Sequence, residues 1–350
     1  MTYFFITGEE SGSNYAANVI HHLKKLDAAS KFYGLGGESM QHEGCELIIP
    51  LEQLSFMGFS AVLKNIFTIR KNFKETQKSI LKLQPDVVCL VDYAGFNLRM
   101  AKWCKQNGFK TIYYILPKVW AWNESILKKL QAYCDELISI FPFEVDYFKQ
   151  KNISIHYFGN PLAELISTNF NSESKTEIIL LPGSRKQEIK ALMPVFIELA
   201  NLMQNEQFKI VAMQKLQKLY PKLIPKNMEF IFDTVSNVSQ NAKFAVVCSG
   251  TATLEIALLN IPQVIVYKTN FINYQIAKQL IKVPFIGLPN LIAGKQIAPE
   301  LIQNNCTAEQ IKNFIEISST KNIYAILEHK LAPQNTSEQV AKLLMDKANA

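Results

Sequence analysis

Residues Phe244–Ala257, FAVVCSGTATLEIA, constrain the fold more than any other stretch. The apolar, β-branched run from Phe244 to Cys248 reads as a buried strand. It breaks at Ser249-Gly250-Thr251, and a helical pattern follows from Ala252. A hydroxyl residue before a helix can accept hydrogen bonds from its first free N–H groups. A small-residue turn there also lets a phosphate reach those N–H groups and the positive end of the helix dipole. Glu255 follows one turn in, within reach of ribose hydroxyls beyond a bound diphosphate. Taken alone, the stretch is read as an ordinary strand–turn–helix with a capped start. What surrounds it turns the reading toward phosphate.

The same unit recurs along the chain. Tyr3–Thr7 is a strand, Gly8-Glu9-Glu10-Ser11-Gly12 a turn, and a helix is expected from Asn14 to Leu26. Further strands are expected at Lys31–Leu35, Pro85–Asp92, Lys110–Leu116, Glu136–Phe141 and Ile155–Phe158. After a polar linker at Thr168–Thr176 the pattern restarts with Glu177–Leu181, Phe208–Met213, Met228–Phe232 and Gln263–Tyr267. Gly287–Gly294 reads as a loop, and helices are expected from Pro299 onward. Two βα-repeating halves predict an α/β protein of two Rossmann-like, doubly wound domains facing across a cleft. A length of 350 residues fits two cores better than one. The first glycines lack GxGxxG spacing, so they are not read as a dinucleotide fingerprint.

Composition narrows the class. With 48% hydrophobic and 19% charged residues the chain is globular, and a net charge of +7 permits anionic partners without naming one. The six cysteines are scattered, with no CxxC and no histidine at ligand spacing, so neither a zinc site nor a disulfide framework is expected. No signal peptide and no bilayer-spanning run is read, so a cytoplasmic location is expected.

Four places carry candidate chemistry. Asp92 closes the apolar run PDVVCLVD, where an α/β sheet presents groups to ligands. A general base and a helix cap both remain open for it. Trp120 and Trp122 suit the wall of a ligand or acyl-chain site, or equally a domain interface. The stretch Leu51–Lys74 is apolar through Phe56, Met57, Phe59, Ile66 and Phe67, and basic through Lys64 and Arg70. Such a helix lies in a membrane interface, or in a core with a solvated basic edge. Arg185 opens a helix behind Gly183 and Ser184, as a bidentate phosphate donor or as a surface partner of Glu188.

Together these residues form a recognisable series: GEESG at Gly8–Gly12, MQHEGCE at Met40–Glu46, LSFMGFSAVL at Leu54–Leu63, and PDVVCLVD with Phe96-Asn97. VWAW at Val119–Trp122, PFE at Pro142–Glu144, LPGSR at Leu181–Arg185, SGTATLE at Ser249–Glu255 and LPNLIAG at Leu288–Gly294 follow in order. The chain resembles the lipid-A-disaccharide synthase family of GT-B glycosyltransferases along nearly its whole length. The resemblance implies transfer of a diacylglucosamine from its UDP ester to the 6-hydroxyl of diacylglucosamine 1-phosphate, with inversion. It implies no cofactor, no metal and no nucleic-acid partner. The enzyme would sit peripherally on the cytoplasmic face of the inner membrane, with a homodimer among the assemblies allowed.

By resemblance, Asp92 would be the base and Arg185 would hold a phosphate. Ser249, Gly250, Thr251, Glu255 and Asn290 would bind UDP. Gly8, Glu9, Ser11, Gly12, Asn97, Trp120 and Trp122 would line the acceptor side, and Phe56, Met57, Phe59, Lys64, Ile66, Phe67 and Arg70 would face the membrane. The domains would be residues 1–165 on the acceptor side, 176–320 on the UDP side, and 321–350 as helices packing back on the first. The chain departs from the family pattern at Ser13 and Gly95, where Asp is usual, at Lys118, where Ser is usual, and at Asn160, often His. Other GT-B enzymes using UDP-N-acetylglucosamine, a peptidoglycan glycosyltransferase or a 2-epimerase, and a non-catalytic nucleotide-sugar or lipid-binding protein are the competing readings.

Overall fold

The computed structural model describes residues 1–54, 66–119, 125–166, 175–269, 274, 283–317, 324–331 and 335–350. The chain divides into two units, Met1–Glu164 with Pro333–Ala350, and Leu165–Ala332.

The first unit runs β1 (Thr2–Ile6), α1 (Glu10–Leu26), β2 (Lys31–Gly36), α2 (Glu38–His42), β3 (Cys45–Pro50), α3 (Ile66–Leu83), β4 (Val87–Val91), α4 (Ala94–Gln106), β5 (Thr111–Tyr114), α5 (Ser125–Tyr133), β6 (Glu136–Ser139), α6 (Pro142–Gln150), β7 (His156–Tyr157) and α7 (Pro161–Leu165). The strands are parallel, in the order β3-β2-β1-β4-β5-β6-β7. Helices cover parallel sheets on both faces, which is why β4, VVCLV, is apolar at every position and wholly buried. Phe4, Ile6, Val88, Leu90, Met100 and Phe148 centre one core cluster.

One expectation fails here. The helix after β1 starts at Glu10, so Ser11 and Gly12 lie in its first turn and not in a loop. The run CELIIP adds a strand, β3, at the sheet edge.

The second unit runs β8 (Glu177–Leu181), α8 (Lys186–Leu202), β9 (Gln207–Val211), β10 (Met228–Ile231), α9 (Val235–Val238), β11 (Ala242–Cys248), α10 (Thr251–Leu258), β12 (Gln263–Tyr267), α11 (Leu288–Ala293), β13 (Glu300–Ile302), α12 (Ala308–Ile317) and α13 (Ala325–Leu331). Its sheet is also parallel, ordered β10-β9-β8-β11-β12-β13. Alternate residues of β8 and β11 serve opposite faces: Ile178, Leu180 and Val246 join one core, Ile179, Leu181 and Val247 the other.

Residues 288–293 are a short helix, not a loop, closed by Gly294 at a φ of 75°. Pro299 introduces strand β13 before any helix. The last helix, α14 (Thr336–Asn349), returns to the first unit and packs on α1.

Candidate active site

In both sheets the strand order reverses beside the first strand of the unit, at β1/β4 and at β8/β11. Ligands of open α/β sheets bind beyond the carboxyl ends of the strands at such points. The turns leaving these four strands hold Gly8–Glu9, Asp92–Tyr93, Gly183–Arg185 and Ser249–Gly250.

Asp92 and Tyr93 are consecutive left-handed residues, with φ of 48° and 47°. Non-glycine residues hold that conformation only when their surroundings over-determine it. The Asp92 N–H donates to the Tyr114 carbonyl at 2.9 Å. The Asp92 carbonyl accepts from Tyr113 Oη at 2.7 Å and from Asn97 Nδ2 at 2.8 Å. Asn97 Nδ2 also lies 3.2 Å from the carbonyls of Ile6 and Val91, joining the ends of β1 and β4. The backbone of Asp92 is thus committed, while its carboxylate takes the Tyr93 N–H and no side-chain hydrogen bond among the described residues. Tyr93, not Asp92, occupies the N-cap position of α4, and no side chain caps that helix, so the cap reading of Asp92 falls.

The carboxyl of Asp92 is pushed up to about 6, first by burial and then by Glu9, against the opposing pull of Lys118 and the Tyr93 N–H. Glu9 ends the approach to α1, whose N-terminus no side chain caps. Gly8 lies against the Tyr93 ring, and a Cβ there would sit 2.2 Å from it. Tyr93 is itself fixed by its hydroxyl, which donates to the Leu54 carbonyl at 3.1 Å, and by stacking on Phe96.

One residue proposed for the acceptor side, Asn97, and two of the departures from the family pattern, Ser13 and Asn160, take bracing tasks. Asn97 is buried and braces Asp92 instead of presenting its amide outward. Ser13 is buried, with its hydroxyl 2.8 Å from Thr7 Oγ1, accepting the Gly37 N–H at 3.0 Å and donating to the Glu9 carbonyl at 3.2 Å. A neutral hydroxyl here ties three backbone segments together. Asn160 accepts the Leu162 N–H at 2.9 Å and donates to the Ile140 carbonyl at 3.0 Å, so it too is a brace. Trp120, Trp122, Phe56, Met57, Phe59 and Lys64 lie outside the described residues. Ile66, Phe67 and Arg70 open α3 and are exposed, Phe67 at 79%, so the two apolar residues are not in a core, whereas Arg70 fits either reading and Ile80 of the same helix is buried.

In the second unit Gly183 takes a φ of 95°, and a Cβ there would meet Glu188 Oε2 at 2.4 Å. Glu188 is the buried centre of this turn. Its Oε2 accepts the N–H groups of Ser184 and Arg185, each at 3.1 Å, and its Oε1 accepts Arg185 Nη1 at 3.2 Å. The N–H groups expected to face a ligand are therefore filled by a carboxylate of the same helix, three residues on. The Arg185 side chain, 60% exposed, keeps its other donors free of the described residues.

The second turn is more open. Gly250 precedes α10, no side chain caps the helix, and a Cβ added at Gly250 would meet, among the described residues, the Cys248 carbonyl at 4.0 Å. Ser249 is not the cap, because its hydroxyl donates to the Ile286 carbonyl at 2.9 Å. Thr251 is exposed in the first turn. Glu255 is half-buried, its carboxylate takes no hydrogen bond from the described residues, and burial raises its carboxyl pKa.

Asn290 is a correction. It is fully buried, its Nδ2 donates to the Ala298 carbonyl and Glu300 Oε1, and its Oδ1 accepts the N–H groups of Ile297 and Ala298. All four hydrogen-bonding positions of the amide are used, so none remains for a diphosphate. Glu300 in turn accepts the N–H groups of Ile286 and Gly287, each at 2.9 Å. Glu300 and Tyr113 escaped sequence reading because their partners lie far away in the chain. Glu188 had a legible signal, an acid three residues after the residue that opens the helix. Among the described residues no group of three or more His, Cys, Asp or Glu is placed to hold a metal ion.

A sequence model of the family described as lipid-A-disaccharide synthetase (LpxB) matches residues 3–345. A lipid-A-disaccharide synthase of Trichlorobacter lovleyi is 35% identical over 324 residues, covering 87% of this chain and 85% of the relative. That of Coxiella burnetii (strain CbuG_Q212) is 34% identical over 363 residues, covering 97% and 96%. Among solved structures, a UDP-GlcNAc 2-epimerase of Neisseria meningitidis bound to UDP-GlcNAc matches with a TM-score of 0.67 at 14% identity, covering 99% of this chain and 100% of that one. At that identity the likeness speaks for the fold alone, GT-B with two Rossmann-like domains. The match across nearly the whole length, with relatives above 30% identity, establishes that the chain belongs to the lipid-A-disaccharide synthetase family.

Proposed function

We propose that the chain is an inverting glycosyltransferase that condenses UDP-2,3-diacylglucosamine with 2,3-diacylglucosamine 1-phosphate to give the β-linked disaccharide 1-phosphate and UDP. The acceptor 6-hydroxyl oxygen attacks the donor's anomeric carbon while Asp92 takes its proton. The bond from that carbon to the diphosphate breaks, and UDP departs with the electron pair. A carboxyl near 6 is ionised at neutral pH, yet more basic than an ordinary aspartate. Charge developing on UDP is met by the free donors of Arg185 and by the bare N–H groups of Gly250, Thr251 and the α10 N-terminus. Glu255 accepts from the ribose hydroxyls. As the family resemblance implies, no divalent cation takes part, and turnover should persist in a chelator.

The lipid substrates place the enzyme at a membrane surface. Exposed Ile66, Phe67 and Arg70 support α3 as one contact with it. Among the described residues no helix is long and apolar enough to cross a membrane. We assign the chain to the cytoplasmic face of the inner membrane, as a peripheral protein.

The observation that carries this reading is Asp92 itself. Its backbone is held in an unfavourable conformation by Tyr113, Tyr114 and Asn97, and its carboxylate has no ion pair among the described residues. Purified protein with both substrates, scored for disaccharide by thin-layer chromatography, tests the reading. Asp92→Ala should remove most turnover while UDP affinity by calorimetry stays within about twofold. No disaccharide from the parent protein, or equal loss of UDP binding in the variant, would overturn it.

A further inference from the structure

The connection from β9 to β10 has no part in the chemistry above. Over 213–227 it reads MQKLQKLYPKLIPKN, with Lys215, Lys218, Lys222 and Lys226 but no acid and no arginine. It forms a 3₁₀ helix at Gln214–Leu219 and then continues without a regular helix, yet it is pinned along its length. The Met213 N–H donates to Tyr220 Oη at 3.0 Å, and the buried Tyr220 ring lies 5.1 Å from Phe230. Leu216, Leu219 and Ile224 pack on the core. Asn227 Nδ2 reaches the carbonyls of Ala200, Met203 and Glu206 at the end of α8.

From this fixed segment Leu223 projects with 91% of its surface exposed, and Met213 and Phe232 are exposed at the strand ends. All four lysines are exposed, and Lys218, Lys222 and Lys226 have no ion pair among the described residues. A single exposed leucine is ordinary. A leucine held out from a rigid, acid-free, lysine-lined segment combines the two attractions of an anionic lipid surface, acyl chains for the apolar tip and phosphates for the ammonium groups. The nearest acids in sequence, Glu229 and Asp233, follow the segment, and Asp233 Oδ1 is engaged by the Thr234 N–H and Asn237. A nucleic-acid surface would call for arginine and open aromatic faces, but the segment's tyrosine ring is buried.

We propose that residues 213–227 form a lipid-contact surface of the second unit, separate from α3, that seats Leu223 in an anionic bilayer with the lysines at its phosphates. The proposal does not depend on the transferase reading. Hydrogen exchange on the full chain, with and without vesicles of phosphatidylglycerol and phosphatidylethanolamine, should show slower exchange in the peptide covering 213–227. Vesicles of phosphatidylcholine alone should leave it unchanged. The combined variant Leu223→Asp, Lys218→Gln, Lys222→Gln, Lys226→Gln should lose that protection and co-sediment at least fivefold less, while keeping the parent's thermal unfolding midpoint in solution. Unchanged exchange on anionic vesicles would overturn the proposal. So would parental co-sedimentation of the variant, or protection by single-stranded RNA in place of lipid.

Discussion

At the scale of single residues, Asp92 is held at a cost that the proposed role as base would explain. Burial and Glu9 raise its carboxyl from 3.8 to about 6. Ionising a group whose folded pKa is raised opposes folding. That penalty is absent well below the unfolded pKa near 3.8, grows between 3.8 and 6, and is complete above 6. Asp92→Asn should therefore stabilise the protein at pH 7.5 by up to ~3 kcal/mol and by less than half of that at pH 4.5, measured by urea unfolding, while abolishing turnover. A loss of stability at pH 7.5 would show that the carboxylate has an unseen partner. Lys118, standing where the family usually has Ser, pulls the same group the other way. Lys118→Ser should move the acidic limb of the kcat/KM–pH profile upward, and a downward shift would contradict the placement of that charge. The placement of Asp92 and Arg185 in strand-end turns was legible, because Asp92 directly follows an apolar strand and Arg185 follows another after Pro182-Gly183-Ser184. The roles of Asn97 and Asn290 were not, because a sequence motif does not say whether an amide points outward or is consumed by its own fold.

At the scale of elements, the two turns of the second unit differ in what they leave open. In the first, Gly183 combines a φ of 95° with a Cβ position 2.4 Å from Glu188 Oε2 and 3.1 Å from Cys248 Sγ. In the second, Gly250 has an extended backbone, and an added Cβ would make no close contact with the described residues. Gly183→Ala must displace Glu188 from the Ser184 and Arg185 N–H groups, a cost of about 1–3 kcal/mol with disturbance of the Arg185 anchor. Gly250→Ala should cost less than about 1 kcal/mol in folding stability. Thermal unfolding and UDP calorimetry on both variants check this: a destabilised, weakly binding Gly183→Ala is expected, and equal stability of the two would refute the assigned geometry. The strand–turn–helix pattern was readable at both turns because apolar runs end abruptly at small residues. Helix α11 was not, since its Pro and closing Gly are also loop residues, and its start is fixed by Glu300 from another strand.

At the scale of the whole molecule, the chain uses one strand order twice and then returns. Strands β1 to β6 and β8 to β13 follow the same doubly wound order, which long apolar runs separated by amphipathic helices made readable. The final crossing was less so. Residues 321–350 were expected as one group, whereas α13 belongs to the second unit and α14 to the first. Nothing local to α13 marks its owner, because both helices are short and amphipathic, and only the packing partner decides. The return is anchored at both ends of α14. Glu164 Oε2 accepts from the Ser337 N–H and hydroxyl at 3.0 and 2.6 Å, Thr336 donates to the Phe158 carbonyl, and Lys347 pairs with Glu136. Between them Val340, Ala341 and Leu344 are buried. Burying an aliphatic side chain of that size contributes about 1.5–3 kcal/mol, so a chain ending at 331 should lose several kcal/mol of first-unit stability. Hydrogen exchange should then quicken in α1 and β4, which α14 covers, while β8 and β11 keep their protection. Glu164→Ala, which removes only the cap, should give the same pattern at about 1 kcal/mol. If protection fell equally in both units, the two would unfold as one cooperative body and α14 would be a clasp for the entire chain.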